Sequence, residues 1–291
     1  MHFYEVLKSR KIDPIEEFKR LEFLMNEKTI PYGFHELISL KNWLDKKTFR
    51  DLKIRDSFTS INDMLTGLGI YDSNLEFNYD LECMQNHSKC FEKLYLYCEI
   101  LLTIFSNSIG KLTDNETANK VAKHITNSID KILEKTNCKW VSTKKGIIII
   151  ENDIIATEAI ESIKNDISLA CEIMEYNRKL NKGNIERKKQ ILIQLAAYTE
   201  PWNSDFEDTP YKQLYNDRRF LVNEIDIRHN NKETSKYIFT DGWTNVDYEN
   251  WYDKTYHTLL MVIIAKKQLE ISAEIKSLKQ TKKDNPNKQQ A

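Results

Sequence analysis

The sequence is poor in the residues that form tight turns. Only seven glycines and five prolines occur among its 291 residues. A β-sandwich, barrel or propeller needs many tight turns, and glycine and proline are the residues that best form them. The shortage therefore excludes these all-β classes and predicts a mostly α-helical chain.

Neither sign of charge predominates in this chain. There are 43 Lys and Arg residues against 44 Asp and Glu, which gives a formal net charge of −1. Affinity for a phosphate backbone depends on an excess of positive charge, so this balance argues against a general polyanion binder but allows a local basic patch. Hydrophobic residues make up 41% and charged residues 30%, a composition typical of a folded domain.

Export and membrane signals are also missing. Residues 1–5 show no cationic segment that leads into an apolar run, and the longest strongly apolar run, 259–265, is far shorter than the ~20 residues that span a bilayer. The five cysteines are odd in number and have no CxxC spacing, so we expect reduced thiols. These features predict a cytoplasmic protein that does not contact membranes.

Motifs of nucleotide-dependent and metal-dependent enzymes are absent. The chain has no phosphate-binding glycine loop, GxSxG, HExxH or dinucleotide fingerprint, so we expect no nucleotide, other cofactor or resident metal. Cys83, His87 and Cys90 would share one face of a helix, and a zinc ion there would need a fourth ligand such as Cys98 or Cys138. Because structural zinc sites favour paired cysteines, free core cysteines are the preferred interpretation.

Apolar residues recur at helical spacing along most of the chain. Asp13 and Pro14 are a helix-start signal, and residues 31–33 (Pro-Tyr-Gly) are expected to end the first helix. The further predicted helices cover residues 34–45, 57–68, 81–106, 121–133, 157–180 with an interruption near Asn165, 185–199, 210–228 and 247–279.

The periodicity changes at Lys139. Residues 139–142, a turn over 143–146 and four consecutive isoleucines at 147–150 predict a β-hairpin at about 139–151. An isoleucine run suits a strand that is covered on both faces, so helices should pack over it. The predicted fold class is therefore mostly α, a helical bundle with one small β-hairpin.

The polar segment 106–114 is the best candidate for a domain boundary. We expect an N-terminal helical domain over residues 1–112 and a second helical domain, which carries the hairpin, over 113–280. Residues 281–290 contain no apolar side chain, so the segment 281–291 is expected to be a disordered tail.

The most informative stretch runs from Asp217 to Asn231. On a helix, Arg218 would share a face with His229, and Arg219 and Asn223 would lie on the adjacent face. RNA cleavage without a metal needs an imidazole to move protons and a guanidinium to hold the phosphate. The alternative is that residues 228–230 merely cap the C-terminus of a helix, where cations face the negative end of the dipole.

The order of helix, hairpin and helices, together with residues 223–231 (Asn-Glu-Ile-Asp-Ile-Arg-His-Asn-Asn), resembles bacterial abortive-infection proteins that carry a HEPN-type helical domain. Residues 138–141, 175–177 and 182–192 share in the resemblance, which covers about residues 114–275. It implies a homodimer in bacterial defence or toxin-like RNA control, with His229 as general acid/base. Arg218 or Arg219 would bind the RNA phosphate beside Asn223. HEPN ribonucleases typically carry an arginine some residues before the histidine, whereas the position six before His229 is Asn223 here, so an inactive scaffold remains an alternative.

Three further groups have simpler interpretations. The aromatics between Tyr237 and Tyr256 are interleaved with acids, which favours core packing over base stacking. The basic run 187–189 is expected to be a solvated helix face rather than a phosphate contact. The acids between Glu200 and Asp208 are expected to lie in a solvated loop, because they lack the regular spacing of a calcium loop.

The rival to the enzyme is a non-catalytic helical interaction module. In that hypothesis residues 210–231 only pack, and the long last helix supplies a partner interface. Apolar residues along one side of that helix, Tyr256, Leu260, Ile263 and Ile271, would form the interface.

Overall fold

The computed structural model describes residues 12–47, 58–144, 146–163, 166–228 and 240–284. The chain forms two compact units, Met1–Asn152 and Asp153–Ala291. The boundary that we predict after residue 112 falls inside the first unit. There Ile109–Thr113 forms a short helix whose Leu112 is buried, so the polar segment 106–114 is a packed turn rather than a linker.

In its described residues the first unit combines helices with two antiparallel hairpins, and the mostly α fold class is confirmed. Its elements are α1 (Pro14–Asn26), β1 (Lys28–Tyr32), β2 (Glu36–Ser39), α2 (Leu40–Lys47), α3 (Ile61–Gly67), α4 (Leu81–Gln85), α5 (His87–Asn107), α6 (Ile109–Thr113), α7 (Glu116–Lys135), β3 (Cys138–Thr143) and β4 (Gly146–Glu151).

The β1–β2 hairpin corrects the predicted helix over 34–45. Helix α1 ends at Asn26, and the chain then pairs Tyr32 with Glu36 across a turn in which Gly33 adopts a φ of +68°. A positive φ strongly favours glycine, which explains the turn at this point. Ile30 and Ile38 point into the core from the two strands, so burial of this small hairpin outweighs the helical spacing of the apolar residues.

The predicted hairpin at 139–151 is confirmed. Strands β3 and β4 pair in register from Cys138 with Glu151 to Thr143 with Gly146, and all four isoleucines of β4 are buried. The free edge of β4 is bonded to side chains of α5. The N–H of Ile149 donates to Oε1 of the buried Glu99 at 2.7 Å, and the N–H of Ile147 donates to Oγ1 of Thr103 at 3.0 Å.

The second unit is helical in its described part. Its helices are α8 (Ile154–Ser162), α9 (Ile167–Tyr176), α10 (Ile185–Thr199), α11 (Asn203–Phe206), α12 (Lys212–Glu224) and α13 (Asn245–Asp284), with 3₁₀ turns at Lys179–Asn181 and Glu200–Trp202. The predicted interruption of the helix over 157–180 is confirmed, although Asn165 itself lies outside the described residues. The core forms where α8, α10 and α12 pack against the first half of α13.

Helix α13 is 40 residues long, which corresponds to about 60 Å. Tyr252, Tyr256 and Leu260 on its first half are buried, whereas no residue from 268 to 281 is buried. The helix continues to Asp284, so the prediction of a disordered tail is wrong for residues 281–284. Residues 285–291 lie outside the described part. Among the described residues, no helix is both long and apolar enough to cross a bilayer.

Candidate functional site

Helix α12 ends earlier than predicted. Its last residue is Glu224, and Asp226 adopts a left-handed backbone with a φ of +60°. Nζ of Lys189 on α10 lies 3.0 Å from Oδ2 of Asp226 and holds the turn. The helical spacing that would align Arg218 with His229 therefore does not continue past Glu224, and His229 itself lies outside the described residues.

Arg218 lies inside the second unit and not on its surface. Only 3% of the residue is exposed. Its Nε donates to Oγ1 of Thr199 at 3.1 Å, and its Nη2 donates to the carbonyl of Ala196. Burial lowers the pKa of this guanidinium from its ordinary value. Arg218 thus bonds to the Ala196 carbonyl in the last turn of α10, where a helix has no further backbone N–H groups to donate, and to the Thr199 hydroxyl beside it.

Arg219 and Asn223 are the two predicted site residues that the structure leaves in solvent. Both are exposed, and they lie one turn apart on α12. The phenyl ring of Phe220 beside them is also half exposed. A ligand can therefore reach this face of α12, whose last residue, Glu224, precedes His229 in the sequence.

The basic run at 187–189 is neutralised by carboxylates. Nη2 of Arg187 lies 3.0 Å from Glu172, and Lys189 pairs with Asp226. Lys188 is 5% exposed, and its Nζ lies 2.8 Å from Glu249 and 2.7 Å from Asp253 on α13. The prediction of a solvated face is wrong for Lys188, because α13 covers it.

The Lys188 cluster also contains two tyrosines that sequence reasoning missed. The rings of Tyr176 and Tyr256 stack at 3.9 Å, and the hydroxyl of Tyr176 donates to Asp253 at 2.8 Å. Burial and the neighbouring Asp253 carboxylate raise the pKa of the Tyr176 phenol, which therefore stays protonated as a donor. The cluster fastens α9 and α10 to α13 and fixes the direction of the long helix.

A second buried polar network lies in the first unit and was also missed. Glu22 of α1 accepts hydrogen bonds from Nζ of Lys41 at 2.9 Å and from the hydroxyl of Tyr97. Lys41 also donates to the hydroxyl of Tyr71 at 2.6 Å. Burial raises the pKa of Tyr97 well above its ordinary value, and the Glu22 carboxylate adds to this effect. These partners are far apart in sequence, so no spacing pattern could have indicated them.

The cysteine and histidine group does not form a common face. Helix α4 ends at Gln85, and α5 begins at His87 after Asn86 caps it, so the three side chains do not belong to one helix. Cys83 and Cys90 are buried whereas His87 is exposed. Across the ranges that the structure describes, no three His, Cys, Asp or Glu side chains are grouped closely enough to hold a metal ion.

The aromatic and acidic groups mostly serve packing and ion pairs. Tyr252 and Tyr256 are buried, as predicted, while Tyr237 and Phe239 lie outside the described residues. The acids predicted in a loop lie on the turn of helix at Glu200–Trp202, on α11 and just after it. Glu200 pairs with Arg228 at 2.5 Å, and Asp205 pairs with Lys266 at 2.8 Å.

The predicted partner face of the last helix divides into two parts. Tyr256, Leu260 and Ile263 belong to the core of the second unit, so they are not available to a partner. Further along α13, Ile271, Ile275 and Leu278 are 37%, 45% and 72% exposed. We call these three residues the α13 stripe.

Comparisons of the chain with protein-family models, with curated protein sequences and with solved structures find no match.

Proposed function

We propose that this protein is a helical interaction module that pairs with a second copy of itself through the C-terminal half of α13. The observation that carries the proposal is the α13 stripe. Its three large aliphatic side chains are exposed on a helix whose first half is anchored in a well-packed core. Contiguous apolar surface of this kind marks association sites in folded proteins.

The spacing of the stripe is that of a two-stranded coiled coil. Ile271, Ile275 and Leu278 follow the 4,3 spacing of core positions d, a and d in a heptad repeat. Gln268 would occupy the preceding a position, where a polar residue fixes the register at some cost in stability. The face that carries Val262, Ala265 and Leu269 packs instead on the protein's own core, so the two faces do not compete.

The flanking charges favour a second copy in parallel orientation. In this register Glu274 occupies a g position and Lys279 the following e position. A parallel pair brings g of one helix next to the following e of the other, so Glu274 would face the Lys279 of the second copy. An antiparallel pair would bring like charges together. In the described part of the chain neither residue forms an ion pair, so both are available.

Sedimentation velocity over a range of protein concentrations tests this proposal. The wild type should shift from monomer to dimer, and the double variant Ile275→Lys/Leu278→Lys should remain monomeric because two charges would enter the apolar seam. The matched control is Ala273→Lys/Gln280→Lys, which adds the same charge on the opposite face of the same turns and should still dimerise. A wild type that stays monomeric, or a dimer that survives the seam variant, would overturn the proposal.

Exchange of the flanking charges tests the orientation. Glu274→Lys alone and Lys279→Glu alone should each weaken the dimer, because each places like charges across the parallel seam. The double exchange Glu274→Lys/Lys279→Glu restores opposite charges and should return the association to the wild-type level. Failure of the double exchange to restore it would contradict a parallel pair.

A ribonuclease of the abortive-infection type is a second candidate, and the exposure of Arg219 and Asn223 favours it. Arg219 would hold the RNA phosphate and His229 would act as general acid/base, while Arg218 stays in the core. We expect cleavage of a mixed labelled RNA pool in EDTA that disappears in His229→Ala and falls sharply in Arg219→Ala. Arg228→Ala is the matched control for loss of a nearby cation. Absence of cleavage by the wild type, or cleavage that survives His229→Ala, would reject this candidate.

A further inference from the structure

The first unit contains an open cavity of about 620 Å³ between α1 and residues 75–79. Pockets of this size hold small organic molecules. One wall is the face of α1 that carries Phe18, Glu22 and Phe23, and the opposite wall is formed by residues 75–79. The cavity lies entirely within the first unit and is independent of α13.

Aromatic rings form the apolar part of the cavity. Phe18 lies at its base, with ring centroids 4.7 Å from Phe77 and 4.8 Å from Tyr97. Phe23 and Tyr79 stand at the rim and are 66% and 45% exposed, so large aromatic surfaces face the open space. Aromatic rings attract cations to their faces as well as apolar groups.

The charges that line the cavity are mainly negative. Glu22, Glu27 and Glu76 contribute carboxylates, and Lys19 is the only basic side chain among the lining residues that the structure describes. The carboxylate of Glu22 is already bonded to Lys41 and Tyr97. Glu27 and Glu76 are exposed, and no described residue forms an ion pair with either, so no described partner competes with a cation for these carboxylates at the mouth.

A strained turn positions Leu75 and Glu76 at the rim of the cavity. Leu75 adopts a φ of +62°, a left-handed backbone conformation that is unfavourable for a residue with a side chain. Oδ1 of Asp72 holds the turn by accepting hydrogen bonds from the N–H of Asn74 at 2.8 Å and from the N–H of Glu76 at 3.0 Å. The turn presents an apolar side chain and a carboxylate at adjacent positions of the mouth.

We propose that this cavity binds a small organic cation, with its apolar or aromatic body between the rings and its ammonium group beside Glu27 and Glu76. The rings exclude a strongly hydrated inorganic cation from the base, and the carboxylates disfavour an anion. Cation–π attraction and the two carboxylates act in the same direction, which sets the chemical class of the ligand.

Three probes with a common phenyl body test the proposal: 2-phenylethylammonium, 2-phenylethanol and 3-phenylpropionate. Their dissociation constants are measured on the full chain by ligand-observed NMR titration. The ammonium probe should bind about five- to tenfold more tightly than the alcohol, and the carboxylate probe most weakly. Equal binding of the three probes, tighter binding of the carboxylate, or no binding of the ammonium probe would overturn the proposal.

Substitutions at the exposed rim locate the binding. Glu27→Gln/Glu76→Gln should weaken the binding of the ammonium probe about five- to tenfold and leave the binding of the alcohol unchanged. Phe23→Ala should weaken the binding of both probes. Glu134→Gln, an exposed acid on α7 away from the cavity, is the matched control and should change neither. The interaction would lie elsewhere if Glu134→Gln lost ammonium binding, or if the rim variants bound the ammonium probe as tightly as the wild type does.

Discussion

Nε of Arg218 donates a hydrogen bond of 3.1 Å to Oγ1 of Thr199, which joins α12 to the last turn of α10. Neither residue reaches the surface. The hydroxyl of Tyr215 adds to the same cap by donating to the carbonyls of Thr199 at 3.1 Å and Glu200 at 2.8 Å. The C-terminus of α10 is thus capped by side chains of a neighbouring helix, and the arginine that suggested phosphate binding serves to stabilise the fold.

Loss of Arg218 should destabilise the protein. Arg218→Met removes the donors for Thr199 and Ala196 in a buried setting, and we expect the free energy of unfolding to fall by about 2–4 kcal/mol. Arg219→Met, one residue further on the exposed face, is the matched control and should change the free energy of unfolding by less than about 0.5 kcal/mol. Urea denaturation measures both. Similar effects of the two substitutions would contradict the buried cap.

Gly146 has a backbone geometry at the turn of the β3–β4 hairpin that disfavours a side chain. Its φ is +131°, and a β-carbon there would lie 3.1 Å from Oγ1 of Thr103. Gly146→Ala should therefore lower the free energy of unfolding by about 1–3 kcal/mol. Gly110→Ala is the control, because Gly110 lies in helix α6 without a positive φ or a close neighbour and should be neutral or slightly stabilising. A neutral Gly146→Ala in thermal unfolding would contradict the geometry.

Lys188 holds α13 to α10 through two carboxylates. Lys188→Met leaves Glu249 and Asp253 without their cation, and we expect the free energy of unfolding to fall by about 2–4 kcal/mol. Lys267→Met on the exposed face of α13 removes the same charge and should have little effect. Chemical denaturation compares the two. An unchanged stability of Lys188→Met would show that the cluster does not anchor the helix.

The same cluster makes the free energy of unfolding depend on pH in the acidic range. Burial alone would raise the pKa of Glu249, but hydrogen bonds from Lys188 and the N–H of Gly183 hold it below its ordinary value of 4.5. Because the folded pKa lies below the unfolded one, this contribution is fully present above pH 4.5 and is lost as the pH falls through the folded pKa.

Denaturation at a series of pH values from neutral to below 4.5 measures this dependence. The wild type should lose stability more steeply than Lys188→Met over the acidic part of the range, since the variant no longer holds Glu249 ionised. Asp253 also contacts Lys188, whereas carboxylates elsewhere contribute equally to the two proteins, so the difference between the curves reports the loss of Lys188 from this cluster. Parallel curves would contradict the assigned cause.

Local patterns predicted several elements because their causes are local. Helix 185–199 was predicted with its observed bounds, since Asn184 caps its start and Pro201 follows its end. The hairpin at 139–151 was predicted from its isoleucine run. The end of α12 could not be predicted, because the left-handed Asp226 is held by Lys189 from another helix.

The candidate sites were harder to predict because they depend on contacts between residues that are far apart in the sequence. The sequence indicated that Arg218, Arg219 and Asn223 lie on a helix, but only packing decides which of them is buried. Glu22 and Tyr97 are 75 positions apart, and no periodicity links them. Of the four residues predicted to form a partner interface on the last helix, Tyr256, Leu260 and Ile263 lie in the core and only Ile271 is exposed, because helical spacing alone does not show which apolar side chains the core buries.

Cysteine cross-linking tests the parallel pairing of α13 most directly. In a parallel in-register pair the two Leu278 side chains meet in the seam, so Leu278→Cys should form a disulfide between copies under mild oxidation. Gln280→Cys points away from the seam and should not, and both variants carry Cys171→Ser to remove the most exposed of the native thiols. Covalent dimer from Leu278→Cys alone is the predicted result. Equal cross-linking at both positions, or none at Leu278→Cys, would contradict the pairing.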